Sequence, residues 1–358
     1  MLRKARLLFV FLHKILAFLN ACFWLLAGFL RAIRYDRRHA LTELGMPSSM
    51  YLNSAEKRRM KHYYYGTTYL SVVFCSLRGR WRTQRERFLF IHLSALACFF
   101  DDLTDAFRHG DNSGTTWKDN PEAYGQSADP RGIALHCLHR IYQYLPPADL
   151  PVFKNWMHRV FNVETTDRQH RTPAVQQPEP DADVLWQLTA EKGGCSVLLF
   201  RCVLAHPLSR AEQEALWQWG AVVQLCDDIF DVWFDRRDGI LTLPLLLMEQ
   251  GETARLEAFF GQQTEILYAC FARLRRSAGG DVPLYSSVRT NTALHAACFL
   301  VSLASVCLRH YKKLALQPCG LPLDDRRQMV VDMERWDNRL HAALAVCRQA
   351  FIVKNDGL

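Results

Sequence analysis

Two short runs in this chain could carry metal chemistry. Asp101-Asp102-Leu103-Thr104-Asp105 and Asp227-Asp228-Ile229-Phe230-Asp231 share one spacing, and each interrupts strongly apolar sequence. On a helix, residues four apart lie on one face, so Asp101 meets Asp105, and Asp227 meets Asp231 and then Asp235. Carboxylates held this close repel one another, and a folded chain tolerates that only when something offsets the charge. A single cluster could be a solvated helix end with incidental acids. The same spacing twice, inside hydrophobic sequence, points to hard divalent cations. Carboxylate oxygens with open water positions select Mg²⁺, with Mn²⁺ as a substitute. Neither run has the glycine-containing loop of an EF-hand, and no Glu-x-x-His pair lies on these helices to build a di-iron bundle site. Cations beside apolar walls suit a diphosphate held at the mouth of a greasy cavity.

The two runs resemble the aspartate-rich motifs of the class I isoprenoid synthases, the all-α superfamily of prenyl diphosphate synthases, terpene cyclases and squalene or phytoene synthases. Gln224-Leu-Cys-Asp-Asp-Ile-Phe-Asp231, followed by Gly239-Ile-Leu-Thr-Leu-Pro244, is similar to the second motif of trans-prenyl diphosphate synthases. Glu191-Lys192-Gly-Gly-Cys-Ser196 is similar to the Lys-Thr element that contacts diphosphate in those enzymes. The likeness spans about residues 55 to 250. It implies that Asp101, Asp102, Asp105, Asp227, Asp228 and Asp231 are catalytic metal ligands for Mg²⁺. It also implies that Lys192, Arg108 and Gln224 bind an allylic prenyl diphosphate. Arg309-His-Tyr311 is similar to an Arg–Tyr pair that senses diphosphate in many terpene cyclases, and the run Asp167-Arg168-Gln-His170-Arg171 at the end of its helix could either reach the diphosphate or be surface charge. Ala97, one turn before Asp101, together with Phe99 and Phe100, would line the pocket, with Ser94 and Leu93 deeper on the same face.

What the resemblance implies is a terpene synthase that ionises a C15 or C20 prenyl diphosphate, cyclises or quenches the cation, and releases pyrophosphate. The alternative is a trans-prenyltransferase, working by chain elongation or head-to-head condensation. Elongating synthases carry Gly-Gly-Lys-Arg, absent here, and Arg-Arg-Gly after the first motif, where this chain has Arg108-His109-Gly110. Arg78-Gly79-Arg80-Trp81-Arg82 is the one cluster that could replace them. Terpene cyclases usually carry an Asn/Ser/Glu triad where this chain has Asp227, Asp228 and Asp231.

The elements that must position these residues read as helices throughout. Apolar periodicity and capping signals predict helices at 54–80, 84–108, 131–145, 149–168, 183–206, 210–236, 253–276, 283–316 and 323–352. A polar loop runs from Gly110 to Pro130 and a proline-rich connector from Pro173 to Pro180. No strand-like run stands out. The expected architecture is therefore all-α, a single large helical bundle over 41–358, and of the isoprenoid synthase type with a central cavity by the resemblance.

Residues 1–40 form a hydrophobic N-terminal segment, apolar from Leu7 to Leu30 except for His13, Lys14 and Asn20, with arginines on both flanks. It is long enough to cross a bilayer. The interrupting His13-Lys14 favours a helix packed on the body or lying on the membrane surface over an anchor or a signal peptide. Twelve cysteines are scattered without a CxxC pair, mostly inside apolar runs, which fits reduced thiols in a cytoplasmic, membrane-associated protein better than a disulfide framework. A formal charge of +8 suits small anions or a membrane surface and is too modest for a dedicated nucleic-acid clamp.

Overall fold

The computed structural model describes residues 2–36, 44–45, 52–100, 102–103, 121–123, 129–171, 181–205, 207–277, 283–317, 320–332 and 335–352. All regular structure among them is helical. In chain order the α-helices are α1 (Leu2–Asp36), α2 (Ser54–Arg78), α3 (Gln84–Cys98), α4 (Pro130–Tyr144), α5 (Leu150–Arg171), α6 (Ala182–Cys202) and α7 (Arg210–Phe230). They continue with α8 (Val232–Asp238), α9 (Leu243–Glu249), α10 (Thr253–Ser277), α11 (Pro283–Ala315), α12 (Arg326–Met329) and α13 (Trp336–Ile352). The chain divides into two compact units, one of Cys22–Asn162 with Leu198–Leu208, the other of Met1–Ala21, Val163–Val197 and Ser209–Leu358. The divisions fall inside α1, α5 and α6, and the Pro173–Pro180 connector lies outside the described residues.

Three expected helices are shorter or broken. The helix expected over 84–108 stops at Cys98, where the Phe99 N–H is shared between the Ala95 and Leu96 carbonyls at 3.2 Å each, a tightened last turn. The helix expected over 210–236 breaks at Asp231, which takes φ −98° and ψ 8° and separates α7 from α8. The Tyr311 hydroxyl donates to the Ile229 carbonyl at 3.0 Å, a tertiary bond to the last turn of α7 that no local pattern announces. The helix expected over 323–352 gives way at Val330, which is extended with ψ 116°, between α12 and α13. The β-branched pair Val330-Val331 disfavours helix there. Conversely, α9 was not anticipated; Pro244 opens its first turn, where a missing N–H does no harm.

In the smaller unit α3 packs against both α2 and α4. Helix starts follow capping chemistry: Asn53 Oδ1 accepts from the N–H groups of Ala55 and Glu56, and Glu56 returns a bond to the Asn53 N–H. Thr83 and Glu86 repeat the capping box at the start of α3. Glu86 does more than cap. Its buried carboxylate accepts from Arg78 at 2.5 Å, from Arg80 at 3.0 Å through both terminal nitrogens, from the Thr83 N–H at 2.8 Å and from the Ala205 N–H at 3.0 Å. Burial alone would raise its pKa, but the bonds from Arg80, Arg78 and Thr83 outweigh that and hold it at about 2. Arg78 and Arg80 are thus engaged in fixing the α2–α3 turn, with Gly79 at φ 67° between them. This engagement counts against their serving as a second diphosphate site.

Helix α1 is turned the unusual way round. Its buried positions are Ala17, Ala21, Gly28, Ala32 and Tyr35, whereas Leu12, Leu16, Leu19, Phe23, Leu26 and Leu30 are each at least half exposed. The small residues allow close approach: a Cβ on Gly28 would collide with Val72 of α2. Among the described residues, two helices are long and apolar enough to cross a membrane, Leu12–Tyr35 of α1 and Ser287–Ala315 of α11. The second is mostly buried, as befits a core helix that packs on α7, α10 and α13 in the larger unit.

Glu86→Ala would leave the buried Arg78 guanidinium unpaired, and should destabilise the fold by about 3–5 kcal/mol in urea unfolding. Because the folded pKa lies below the usual glutamate value of 4.5, the contribution of Glu86 is present above pH 4.5 and lost as pH falls toward 2. The wild-type stability should therefore drop across that acid window more steeply than that of Glu86→Ala.

Candidate functional site

The second aspartate cluster sits at the end of α7 in the larger unit, where α6 crosses α7 at backbone contact. A Cβ on Gly193 would strike the Gly220 carbonyl, and one on Gly220 would strike the Gly193 carbonyl. A Cβ on Gly194 would meet the Trp217 ring at 2.5 Å. Only glycine permits this approach. It brings the polar face of α6 against the acidic end of α7, so the Thr189 hydroxyl donates to Asp228 Oδ2 at 2.9 Å. Gln224 Nε2 donates to Asp228 Oδ1 at 3.1 Å and to Asp227 Oδ2 at 3.3 Å. Asp228 is buried, and both its oxygens accept.

Lys192, one turn beyond Thr189 on α6, is gripped by two buried acids of α5. Its ammonium lies 3.1 Å from Glu164 and 3.2 Å from Asp167. Lys192 thus pairs with two acids and also acts electrostatically on a third, Asp227. The charge excess is legible at Asp227. Its side chain is exposed at the end of α7, and the surrounding protein still removes part of the carboxylate's hydration. Dehydration, then repulsion from Asp228 and Asp231, pushes it up to about 7 against the pull of Lys192 and the bond from Gln224. Burial and Asp228 raise Asp231 in the same direction.

Hard oxygens whose protonation is favoured by mutual repulsion are the donor chemistry a divalent cation reverses. Among the described residues, no three His, Cys, Asp or Glu side chains converge as a ready-made cage. Asp228 is committed to Thr189 and Gln224, while the Asp231 N–H still donates to the Asp227 carbonyl at 3.0 Å, so Asp227 and Asp231 keep the i, i+4 register up to the break that follows.

The other expected residues are placed as follows. Asp101, Asp105 and Arg108 lie outside the described residues. Asp102 pairs with Arg59 of α2 at 2.9 Å, and that guanidinium sits 5.6 Å above the buried Phe99 ring. Phe100 packs edge-on to Phe161. Ser94 bonds Thr67 Oγ1 and the Phe90 carbonyl, and Leu93 is buried beside it, so that face of α3 is a packing face toward α2. Ala97 is half-buried, and Ala97, Phe99 and Phe100 line none of the three cavities described by the structure. Arg309 and Tyr311 part company: Tyr311 is buried against Ile229, while Arg309 is exposed at a cavity of about 250 Å³ shared with His310, Lys313 and Arg335.

Compared with known protein families, curated proteins and solved structures, the chain matches none. The site must be read from its own chemistry. Sequence reading missed Glu164 and Thr189, whose partners stand 28 and 39 positions away. One signal was present: Gly193-Gly194 and Gly220 are small residues inside otherwise bulky helices, which marks a close crossing.

Gly220→Ala should force α6 and α7 apart and destabilise the chain by about 1–3 kcal/mol in chemical denaturation. Gly261→Ala, where no atom lies near the added methyl, should be neutral or slightly stabilising in the same assay.

Proposed function

We propose that this chain is a Mg²⁺-dependent class I terpene synthase acting on a C15 or C20 allylic prenyl diphosphate, cytoplasmic and in peripheral contact with the membrane through α1. The observation that carries the reading is the strained carboxylate group at the end of α7, where Asp227 is driven up to about 7 by dehydration and by its neighbours Asp228 and Asp231. The twofold occurrence of the Asp-Asp-x-x-Asp spacing, each time in apolar sequence, supports it.

Asp227 and Asp231 would hold Mg²⁺, and Asp101, Asp102 and Asp105 are assigned the same role. Bound there, the cation would supply the positive charge that stabilises pyrophosphate as it leaves. Asp228 acts by position: tied by Thr189 and Gln224, it locks the last turn of α7 against α6 and raises the demand for positive charge at Asp227 and Asp231. Lys192 adds one fixed positive charge, oriented by Glu164 and Asp167. The Tyr311 hydroxyl, bonded to the Ile229 carbonyl, ties the end of α7 to α11.

Asp227→Asn combined with Asp231→Asn should lower Mg²⁺-dependent pyrophosphate release from farnesyl or geranylgeranyl diphosphate by at least about a hundredfold. The metal-free melting temperature should hold or rise, because close like charges have been removed. Undiminished release would remove the metal reading.

Labelled isopentenyl diphosphate distinguishes the two enzyme classes. With Arg78 and Arg80 occupied by Glu86, no incorporation of label into longer chains is expected. Incorporation would make the chain a prenyltransferase.

A further inference from the structure

The smaller unit contains a cavity of about 360 Å³, away from the aspartate cluster of α7 and lined in part by Trp81 and Arg82. Four arginines line it: Arg31 and Arg34 from α1, Arg82 from the α2–α3 turn, and Arg87 from α3. No carboxylate is among its lining residues, and none of these four arginines forms an ion pair among the described residues. Three of them lie over aromatic faces, and Arg82 also bonds the Tyr64 hydroxyl. Arg31 lies 4.2 Å over Trp81, Arg82 4.8 Å over Phe90 and Arg87 5.1 Å over Tyr35. Stacking fixes a guanidinium plane while leaving its edge N–H donors free to bond. Two such donors are unmet: Arg82 Nη1 and Arg87 Nε are buried with no hydrogen-bond partner. Buried donors of a charged group left unpaired are costly, and an anion with several acceptor oxygens is what satisfies them.

The place of the cavity says where such an anion comes from. Arg31 and Arg34 follow directly on the exposed apolar face of α1, where Phe23 is 62% exposed, Leu26 63% and Leu30 50%. Trp24 stacks on Trp81 at 4.2 Å beside the cavity, and tryptophan favours the boundary between headgroups and acyl chains. An apolar helix face that ends in a cationic recess matches a bilayer in two respects, with hydrocarbon under the leucines and headgroup phosphate at the arginines.

We propose that this recess binds the phosphate of an anionic membrane lipid and seats α1 on the bilayer surface. Four guanidiniums in one cavity suit a terminal phosphomonoester, which carries more charge and more free oxygens than a phosphodiester. The preferred headgroup is therefore of the phosphatidic acid type. The inference stands whether or not the chain is a terpene synthase.

Vesicle flotation of the full-length protein tests it, with phosphatidylcholine vesicles alone, doped with phosphatidic acid, or doped with phosphatidylglycerol to the same surface charge. Wild type should partition onto phosphatidic acid vesicles roughly tenfold more strongly than onto charge-matched phosphatidylglycerol vesicles, about one fork's worth of free energy. Arg82→Gln with Arg87→Gln should abolish that preference and leave binding to phosphatidylcholine unchanged. Arg34→Gln, on the exposed rim where folding is not at stake, should weaken the preference with an unaltered circular dichroism melting curve. Equal binding to the two anionic lipids, or a preference untouched by these variants, would overturn the proposal. So would an arginine-dependent thermal shift with free inorganic phosphate combined with variant-insensitive flotation, because the recess would then serve a soluble phosphate.

Discussion

The larger unit is organised by the contact of two bare backbones. Where Gly193 meets Gly220, α6 and α7 approach more closely than any side chain would permit, and the polar residues on either side follow from that distance. Thr189 lies one turn before the crossing and reaches Asp228, while Gln224 lies one turn after Gly220 and reaches both Asp227 and Asp228. Without the glycines these hydrogen bonds would have no helices at the right separation to join. The repulsion among Asp227, Asp228 and Asp231 can be sustained because Asp228 is anchored from the neighbouring helix. A loosely held cluster would relax by swinging its carboxylates apart into water.

A second principle runs through both units: arginine and lysine side chains are assigned partners by chemistry and not by proximity in sequence. Arg78 and Arg80 converge on Glu86, with the carboxylate saturated by four donor groups, and the result is a rigid corner. Arg82, two residues on, rests on an aromatic face and keeps an unmet donor. The same short stretch thus holds a closed structural network and an open binding surface. The difference is whether a carboxylate is within reach.

Much of the fold was legible in the sequence because helix periodicity and capping are local. Asn53 with Glu56, Thr83 with Glu86 and Ser209 with Glu212 marked their helix starts, and the two acidic runs stood out by repetition. What escaped depended on distant partners. The break at Asp231 accompanies a hydrogen bond from Tyr311, 82 positions away from the carbonyl that accepts it. The role of Glu86 as an ion-pair hub depends on the Ala205 N–H and on the fold of the α2–α3 turn, neither of which is local to its helix start. The expected pocket wall at Leu93, Ser94 and Ala97 had the correct helical spacing, but Thr67 of α2 is what that face meets at Ser94. Periodicity identifies a buried stripe without saying whether a helix or a cavity lies beyond it.

The orientation of α1 has a practical corollary for anyone handling this protein. Its small residues are the inward ones, so Gly28 and Tyr35 belong to the packing of the smaller unit even though the helix looks like a detachable hydrophobic leader. Deleting the segment to improve yield would strip the cover from α2 and expose a fresh apolar surface. The greasy residues are the outward ones, and they can be exchanged without touching that packing. Polar replacements at Leu19, Phe23, Leu26 and Leu30 would therefore give a detergent-free preparation with the fold's interior intact, while truncation would exchange one sticky surface for another.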